Sequence, residues 1–503
     1  MGAHRHTLLC CMMTAALTAA LAGGASAQGK YSRGATPSVS ASRPSAPMRG
    51  GDDDGGYRGG WGSVLPGIIS AIPQLVPPRG GPSVQSDGPY VDGGGPQNPR
   101  RPPRNTARRN PSGAPPANER RMVPDEVVIE VSNSVTPQQI NALQRRFNLT
   151  RIESRTSPLA NTTVFRWRIP DRRSVTTVVR ALETDGIVAS AQPNYLFTTR
   201  QSGAGATAGN GDEQYLLAKL HLPQAHAIAM GDNVRVAVID SGVDAGHPEL
   251  AGAIAAKFDT LTEAFRPDNH GTAIAGLIAA HGKLTGAAPH ASILAVRAFD
   301  PKGTTAEGST FNILKALDWA AANRARIINM SFAGPNDPAI HRSLAAAHRK
   351  NIVLIAAAGN AGPKSPPLYP AADPNVIAVT ATDADNKLFP MSNRGRYVAL
   401  AAPGTHILVA IPDGAYEVGS GTSYSAAEVS GIAALMIQHE PGLTPDRLRA
   451  ILLATARDLG AKGRDDLFGA GLADAYAALT MDGGAPVAEA VPLPVSRAGS
   501  GTR

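Results

Sequence analysis

Gly419-Ser-Gly-Thr-Ser-Tyr-Ser-Ala-Ala-Glu-Val-Ser-Gly431 passes from glycine and hydroxyl residues straight into the apolar run Ile432-Ala-Ala-Leu-Met-Ile437. That passage predicts a buried helix with Ser423 at its N-terminus. There, backbone N–H groups and the helix dipole favour a developing negative charge. Taken alone, the stretch has a plainer explanation, because Thr422 or Ser423 could simply cap the helix. What Ser423 does depends on what the rest of the chain brings to it.

Outward from this helix, from Asn233 to about Thr480, apolar strands alternate with helices. Strands are expected over Val234–Ile239, Ser292–Arg297, Arg326–Met330, Ile352–Ala356 and Val376–Thr380. Helices are expected near His270–Ala280, Glu307–Asn323, Pro338–Lys350, Tyr424–Gln438 and Pro445–Ala456. Continuous apolar strands interleaved with helices predict an α/β fold: a three-layer, doubly wound, mostly parallel sheet. Active groups of such folds gather beyond the carboxyl ends of the strands. Three polar residues stand there. Asp240 ends a strand in Val238-Ile-Asp-Ser-Gly242, His270 opens a helix in Asn269-His-Gly-Thr-Ala-Ile-Ala-Gly276, and Asn360 ends a strand in Ala356-Ala-Ala-Gly-Asn-Ala-Gly-Pro363. Singly, each has an ordinary use as a turn, a cap or a common histidine. Jointly they supply an acyl-transfer site: Ser423 to attack, His270 to move the proton, Asp240 to orient the histidine, and Asn360 to donate to the oxyanion with the Ser423 N–H. The chain order Asp, His, Ser differs from that of α/β-hydrolases, and Gly421-x-Ser423-x-Ser425 lacks the closing glycine of a nucleophile elbow.

Upstream, Glu126–Val131, Thr136–Phe147, Leu149–Glu153, Thr162–Ile169, Ser174–Glu183 and Ile187–Phe197 read as β-α-β-β-α-β, a small α+β ferredoxin-like domain over 122–200. A Gly/Ala/Thr linker over 201–212 joins it to the larger domain, 213–480. Residues 28–121 are rich in Gly, Pro, Ser and Arg and are expected to be a disordered arm, as is the tail 481–503. Met1 to Ala27 has the basic start, apolar run and Ala25-Ser-Ala27 exit of a secretory signal, which implies export. Both cysteines, Cys10 and Cys11, lie within it, so disulfides and thiol chemistry are not expected of the exported chain. No other segment reads as a membrane span. Of the net charge of +8, residues 28–121 carry +7 (13 basic against 6 acidic), residues 1–27 carry +1, and the remainder balances at 34 of each sign. A nucleic-acid partner would need a basic folded face, so none is expected.

Val238-Ile-Asp240-Ser-Gly with His247-Pro-Glu-Leu250, His270-Gly-Thr, Ala357-Ala-Gly-Asn360 and Gly421-Thr-Ser423, in this order, resemble the subtilisin-family serine proteases over about 213–480. The resemblance implies a serine endopeptidase acting on protein or peptide substrates, and a monomer. It also implies that Ser331-Phe-Ala-Gly-Pro335 walls the primary specificity pocket (Ser331, Phe332, Ala333, Gly334), with Ala357 and Gly359 opposite. The facing edge strand then falls at Gly303 and Thr304, continuing to Thr305. Residues 122–200, with Gln192-Pro-Asn-Tyr195 near their end, resemble the family's inhibitory propeptide, which implies a zymogen that cuts itself between Thr198 and Glu213. Ala273 stands where relatives usually have a second histidine, and Ala427-Glu428 stands where they have Pro-His. No cofactor is implied. The loop His281-Gly-Lys-Leu-Thr285 is shorter than the one that holds a tight calcium ion in relatives and has no carboxylate, so that site is expected to be absent, with weaker calcium sites left open. Ala333, Gly334 and the 356–358 alanines suggest an apolar pocket, made shallower by Leu368, for medium-sized apolar side chains. The rival reading is a catalytically silent binding or scaffold protein on the same fold. A carboxyl-type serine peptidase would need a Glu base and an Asp at the oxyanion position, and His270 and Asn360 argue against it.

Overall fold

The computed structural model describes residues 112–200 and 214–481. The expected signal, the arm up to residue 111, the linker and the tail from 482 lie outside the described residues.

The N-terminal domain comprises β1 (Met122–Ser132), α1 (Pro137–Arg146), β2 (Thr150–Ser157), β3 (Thr162–Arg168), α2 (Val175–Leu182) and β4 (Val188–Arg200), the expected order. α1 starts with a capping box: the Thr136 N–H donates to the Gln139 side chain, and Thr136 Oγ1 accepts from the Gln139 N–H, with Pro137 in the first turn. Strand order is β2-β3-β1-β4, with antiparallel neighbours. Side chains alternate across β1. Val127, Ile129 and Val131 pack with Leu143, Trp167, Val178 and Leu182 into this domain's own core, whereas Val128 joins the core of the larger domain. The domain also begins earlier than 122. Ser112 Oγ and the Gly113 N–H donate to the Glu183 carboxylate at 2.8 and 2.6 Å, so residues 112–121 belong to the folded body and not to the arm.

The larger domain opens with two short turns, α3 (Tyr215–Lys219) and α4 (Leu222–His226), followed by β5 (Arg235–Asp240), β6 (Ile254–Asp259), α5 (Asn269–Ala279) and β7 (Ser292–Arg297). A hairpin, β8 (Asp300–Lys302) and β9 (Thr305–Ser309), leads into α6 (Thr310–Ala322), β10 (Ile327–Met330), α7 (Pro338–Arg349), β11 (Val353–Ala357), β12 (Ile377–Thr382) and β13 (Val398–Pro403). A second hairpin, β14 (Ile407–Ile411) and β15 (Ala415–Gly419), precedes α8 (Thr422–His439), α9 (Pro445–Thr455) and α10 (Ala475–Thr480). Seven strands form one parallel sheet in the order β13-β12-β11-β10-β5-β7-β6. Val236, Val238, Ile293 and Ala295 face the layer containing α5 and α8; Ala237, Ile239, Leu294 and Val296 face the layer containing α6 and α7. That is the expected doubly wound, three-layer arrangement.

The helix expected from Glu307 starts at Thr310. Ser309 caps it, and residues 305–309 are instead drawn into a strand. Their partner is β4, whose last five residues pair antiparallel with β9 from Leu196↔Ser309 to Arg200↔Thr305. The small domain's sheet therefore continues into the large domain as β2-β3-β1-β4-β9-β8.

Candidate active site

β5 and β10 are neighbours in the parallel sheet, with Val238 opposite Asn329. Asp240 ends β5, and Ser331 follows directly on β10, so both stand at the carboxyl edge of the sheet. The Asp240 carboxylate is buried and accepts from the Ser241 N–H at 2.7 Å and the Ser241 hydroxyl at 3.0 Å. Its Oδ1 also pairs with His270 Nδ1 at 2.7 Å. His270 is held at the first turn of α5 because the Asp268 side chain caps that helix, accepting the His270 N–H at 3.1 Å. Burial alone would lower the imidazole's pKa, but the Asp240 charge and its hydrogen bond raise it above the ordinary histidine value, with Asp268 and Glu417 adding to the effect. Its other nitrogen, Nε2, is buried and has no hydrogen-bond partner among the described residues.

Ser423 is the second residue of α8. The helix cap is Gly421, and no side chain caps the helix, so the plain reading of Thr422 or Ser423 as the cap is set aside. The Ser423 hydroxyl instead donates to the Ser331 carbonyl at 3.4 Å, while the Ser331 hydroxyl donates to the Ser423 carbonyl at 3.1 Å. Asn360 leaves the end of β11, and its side-chain oxygen accepts from both the N–H (3.1 Å) and the hydroxyl (2.8 Å) of Thr422, which fixes the roll of the amide. Asn360 and Ser423 line one cavity of about 160 Å³ with Ser331, Phe332, Ala333, Ala357, Gly359 and Leu368. Among the described residues lining it, none is acidic. Asp240, His270, Asn360, Ser423 and the expected pocket residues on 331–333 and 357–359 are thus gathered at one edge of the sheet.

The cleft is occupied by the chain itself. Thr198 exchanges two backbone hydrogen bonds with Ala333, Thr198 N–H to Ala333 O at 2.9 Å and Ala333 N–H to Thr198 O at 3.0 Å. On its other edge the same strand pairs with β9. Phe197 is fully buried, its ring 6.0 Å edge-on from Phe332, which in turn packs on Phe299 at 4.7 Å. A Cβ at position 334 would lie 2.2 Å from the Phe197 ring, so Gly334 admits the aromatic group by having none.

Residues 231–471 match the model of the subtilase family, and residues 108–194 match that of the fervidolysin N-terminal prodomain. Thermitase of Thermoactinomyces vulgaris is 35% identical over 258 residues, 50% of this chain and 90% of that protein. The chain belongs to the subtilase family. It is a serine endopeptidase of that family with an N-terminal prodomain. The minor extracellular protease Epr of Bacillus subtilis is also 35% identical, over 323 residues that cover 62% of this subtilase but only 49% of Epr. The crystal structure of fervidolysin from Fervidobacterium pennivorans, described as a keratinolytic enzyme related to subtilisin, has the same fold at TM-score 0.61 and 23% identity. That match covers 71% of this chain and 61% of that one.

One expectation for this subtilase needs correcting. Gly303 and Thr304 are not part of the edge facing the pocket wall. They form the turn between β8 and β9, Gly303 with φ +67°, and the backbone ladder falls on Thr305–Ser309. The reason is tertiary: β9 is a strand only because β4 pairs with it. Gln192, Asn194 and the Tyr195 N–H of the Gln192-Pro-Asn-Tyr195 motif dock the prodomain, and Glu126 of the prodomain itself braces Asn194. Gln192 donates to Asp337 (2.6 Å), Asn194 donates to Glu126 (2.8 Å) and accepts the Phe311 N–H (3.2 Å), and the Tyr195 N–H donates to Thr310 (2.8 Å). Around this seam, Arg155 pairs with Asp318 at 2.7 Å, Lys315 with Glu153 at 3.0 Å, and Arg342 with Glu130. The sequence carried no signal for these pairs, because each joins residues more than 150 positions apart.

In the loop 281–285, the Glu249 carboxylate accepts the N–H groups of Gly282, Lys283 and Leu284 (2.9–3.0 Å) and the Tyr416 hydroxyl (2.6 Å). Burial would raise this carboxyl's pKa, but those four donors hold it below the ordinary glutamate range. A loop that turns N–H groups inward suits an anion, whereas calcium takes about 6–8 oxygen ligands. Among the described residues no group of three or more His, Cys, Asp or Glu side chains is arranged to hold a metal.

Proposed function

We propose that this subtilase is exported as a zymogen, cuts itself free of its prodomain, and then hydrolyses peptide bonds with Asp240, His270, Ser423 and Asn360. The observation that carries the reading is the buried 2.7 Å contact of His270 Nδ1 with Asp240, which leaves Nε2 as the only ring nitrogen able to take a proton from Ser423. Ser423 Oγ attacks the substrate carbonyl and its proton passes to His270 Nε2. Asp240 holds the tautomer and stabilises the imidazolium. Catalytic hydrogen bonds commonly close only with substrate in place, so the present bond of Ser423 to the Ser331 carbonyl describes the resting rotamer. The oxyanion that forms is met by the Ser423 N–H and the Asn360 amide, and a donor of this kind is worth about 3–4 kcal/mol in the transition state. His270 then protonates the leaving amine, and water releases the acyl group by the same route in reverse.

The apolar cavity walled by Ala333, Ala357 and Leu368 supports a preference for medium-sized apolar side chains. The anion-filled loop at Glu249 supports the absence of the tight calcium site. The Met1–Ala27 pattern supports export, and among the described residues no helix is long and apolar enough to cross a membrane. The test is labelling of the processed protein with a fluorophosphonate. Wild type should be modified at Ser423 and Ser423→Ala should not; equal labelling of both refutes the assignment.

A further inference from the structure

We propose that the first bond this molecule cuts is the peptide bond on the carboxyl side of Arg200. This deepens the reading above and rests on Ser423 as nucleophile.

β4 runs antiparallel to the 331–334 wall, and Thr198 is opposite Ala333 with both hydrogen bonds made. In an antiparallel ladder each step forward on one strand is a step back on the other, so Arg200 comes opposite Ser331. The Ser331 carbonyl is the group to which Ser423 Oγ donates at 3.4 Å. The carbonyl carbon beside the nucleophile therefore belongs to Arg200.

The neighbouring bonds are excluded by the alternation of backbone groups. The N–H and C=O of one strand residue point to the same side, and those of the next point to the other. Thr198 points its pair at Ala333, so Arg200 points its pair at the same wall, toward Ser331 and Ser423. Thr199 points its pair the opposite way, toward its β9 partner Ala306. The Thr198 carbonyl already accepts the Ala333 N–H at 3.0 Å. Arg200 is left as the residue whose carbonyl faces Ser423.

The register itself is well determined. A slip by one residue would turn Phe197 out of its pocket, and a slip by two would carry the ring about 7 Å along the strand. Gly334 and Phe332 are shaped around that ring, so either slip leaves an apolar hole. The second ladder, from Leu196↔Ser309 to Arg200↔Thr305, gives the same register from the other side of the strand.

In the step itself, the Ser423 Oγ–H proton goes to His270 Nε2 as Oγ bonds to the Arg200 carbonyl carbon. The C–N bond to the next residue breaks, and that nitrogen leaves as an amine carrying the proton from His270. A water molecule then hydrolyses the ester, leaving the Arg200 carboxylate and restoring the Ser423 hydroxyl. Among the described residues lining the cavity none is acidic, so no pocket carboxylate selects this bond. The tethered strand does, because holding the reactants in place replaces a bimolecular encounter with a unimolecular step.

The experiment follows the full-length chain through its first turnover and determines the mass of the released N-terminal fragment, whose end later trimming of the linker does not alter. The expected fragment ends at Arg200, at a rate unchanged by about 100-fold dilution, as a unimolecular step requires. In Arg200→Ala the fragment should still end at residue 200, because the backbone register is untouched. A fragment ending at Thr199 or earlier, or within 201–213, overturns the proposal, as does loss of the cut in Arg200→Ala. A chain that stays whole yet reacts with a small fluorophosphonate at Ser423 overturns the register proposal alone. A chain that stays whole and is inert to the reagent overturns the nucleophile assignment beneath it.

Discussion

Glu428 sits on α8 five residues after Ser423, fully buried, and neither carboxyl oxygen has a hydrogen-bond partner among the described residues. An isolated ionised carboxylate in such a place costs far more than the group gains by ionising, so burial pushes its pKa well above the ordinary glutamate value. The folded protein therefore keeps a proton that the unfolded chain gives up above about pH 4.5, the ordinary glutamate range. Because the folded state binds more protons, stability falls as pH rises, by about 1.4 kcal/mol per pH unit, until the folded carboxyl itself ionises. Glu428→Gln preserves the shape and removes the proton, so its stability curve should lack this slope and diverge upward from the parent by that amount per unit. The assay is urea unfolding of full-length Ser423→Ala, with and without Glu428→Gln, at pH 5, 6 and 7; the serine change prevents self-digestion. Parallel curves for the two proteins would refute a neutral buried Glu428.

Phe197→Ala empties the pocket between Phe332 and Gly334. Buried Phe→Ala changes typically cost about 3–5 kcal/mol, so the cut prodomain should inhibit at least about 100-fold more weakly; an unchanged inhibition constant contradicts its anchoring role. Asn360→Ala should lower kcat by about 10²–10³-fold with little change in KM, and a loss confined to KM would argue against an oxyanion role. His270 must be neutral to accept the proton, and its pKa is raised, so activity should be lost on acidification from a pH above the ordinary histidine value. Glu417→Gln removes one of the charges that raise it and should shift the acid limb of kcat/KM downward; a limb that moves upward or stays in place refutes this. Glu249→Gln weakens charge-assisted bonds worth about 1.5–3 kcal/mol each and should lower Tm, whereas a chelator should leave the wild-type Tm unchanged. A large loss of Tm on chelation would restore the calcium site.

Local motifs carried most of the site. Asp240, His270, Asn360 and Ser423 were legible because each stands at the carboxyl end of a strand or the start of a helix, where short-range pattern and general topology agree. The capping box at Thr136, the β-α-β-β-α-β order and the five central strands were legible for the same reason. Missed features depend on partners far away in the chain. β6, β13 and the β14–β15 hairpin carry weak patterns, with Lys257, the alanines of β13 and Glu417 diluting the apolar runs that mark the central strands. Residues 112–121 look like the arm by composition, but Glu183 receives Ser112 and Gly113, Ala114 packs on the prodomain core, and the Arg121 carbonyl accepts the Leu196 N–H.

The sequence by itself determined the fold class and singled out the four residues that the proposed function uses, because apolar periodicity and the ends of elements are written in consecutive residues. Tertiary structure alone decided that Gly421 caps α8, that Glu249 fills the short loop with an anion, and that β9 begins at Thr305 and not in the turn before it. It alone also decided that Thr198 of β4 pairs with Ala333. Register is a relation between two chain segments, set by a ring such as Phe197 finding a glycine 137 positions away, and no local stretch encodes both sides of that fit.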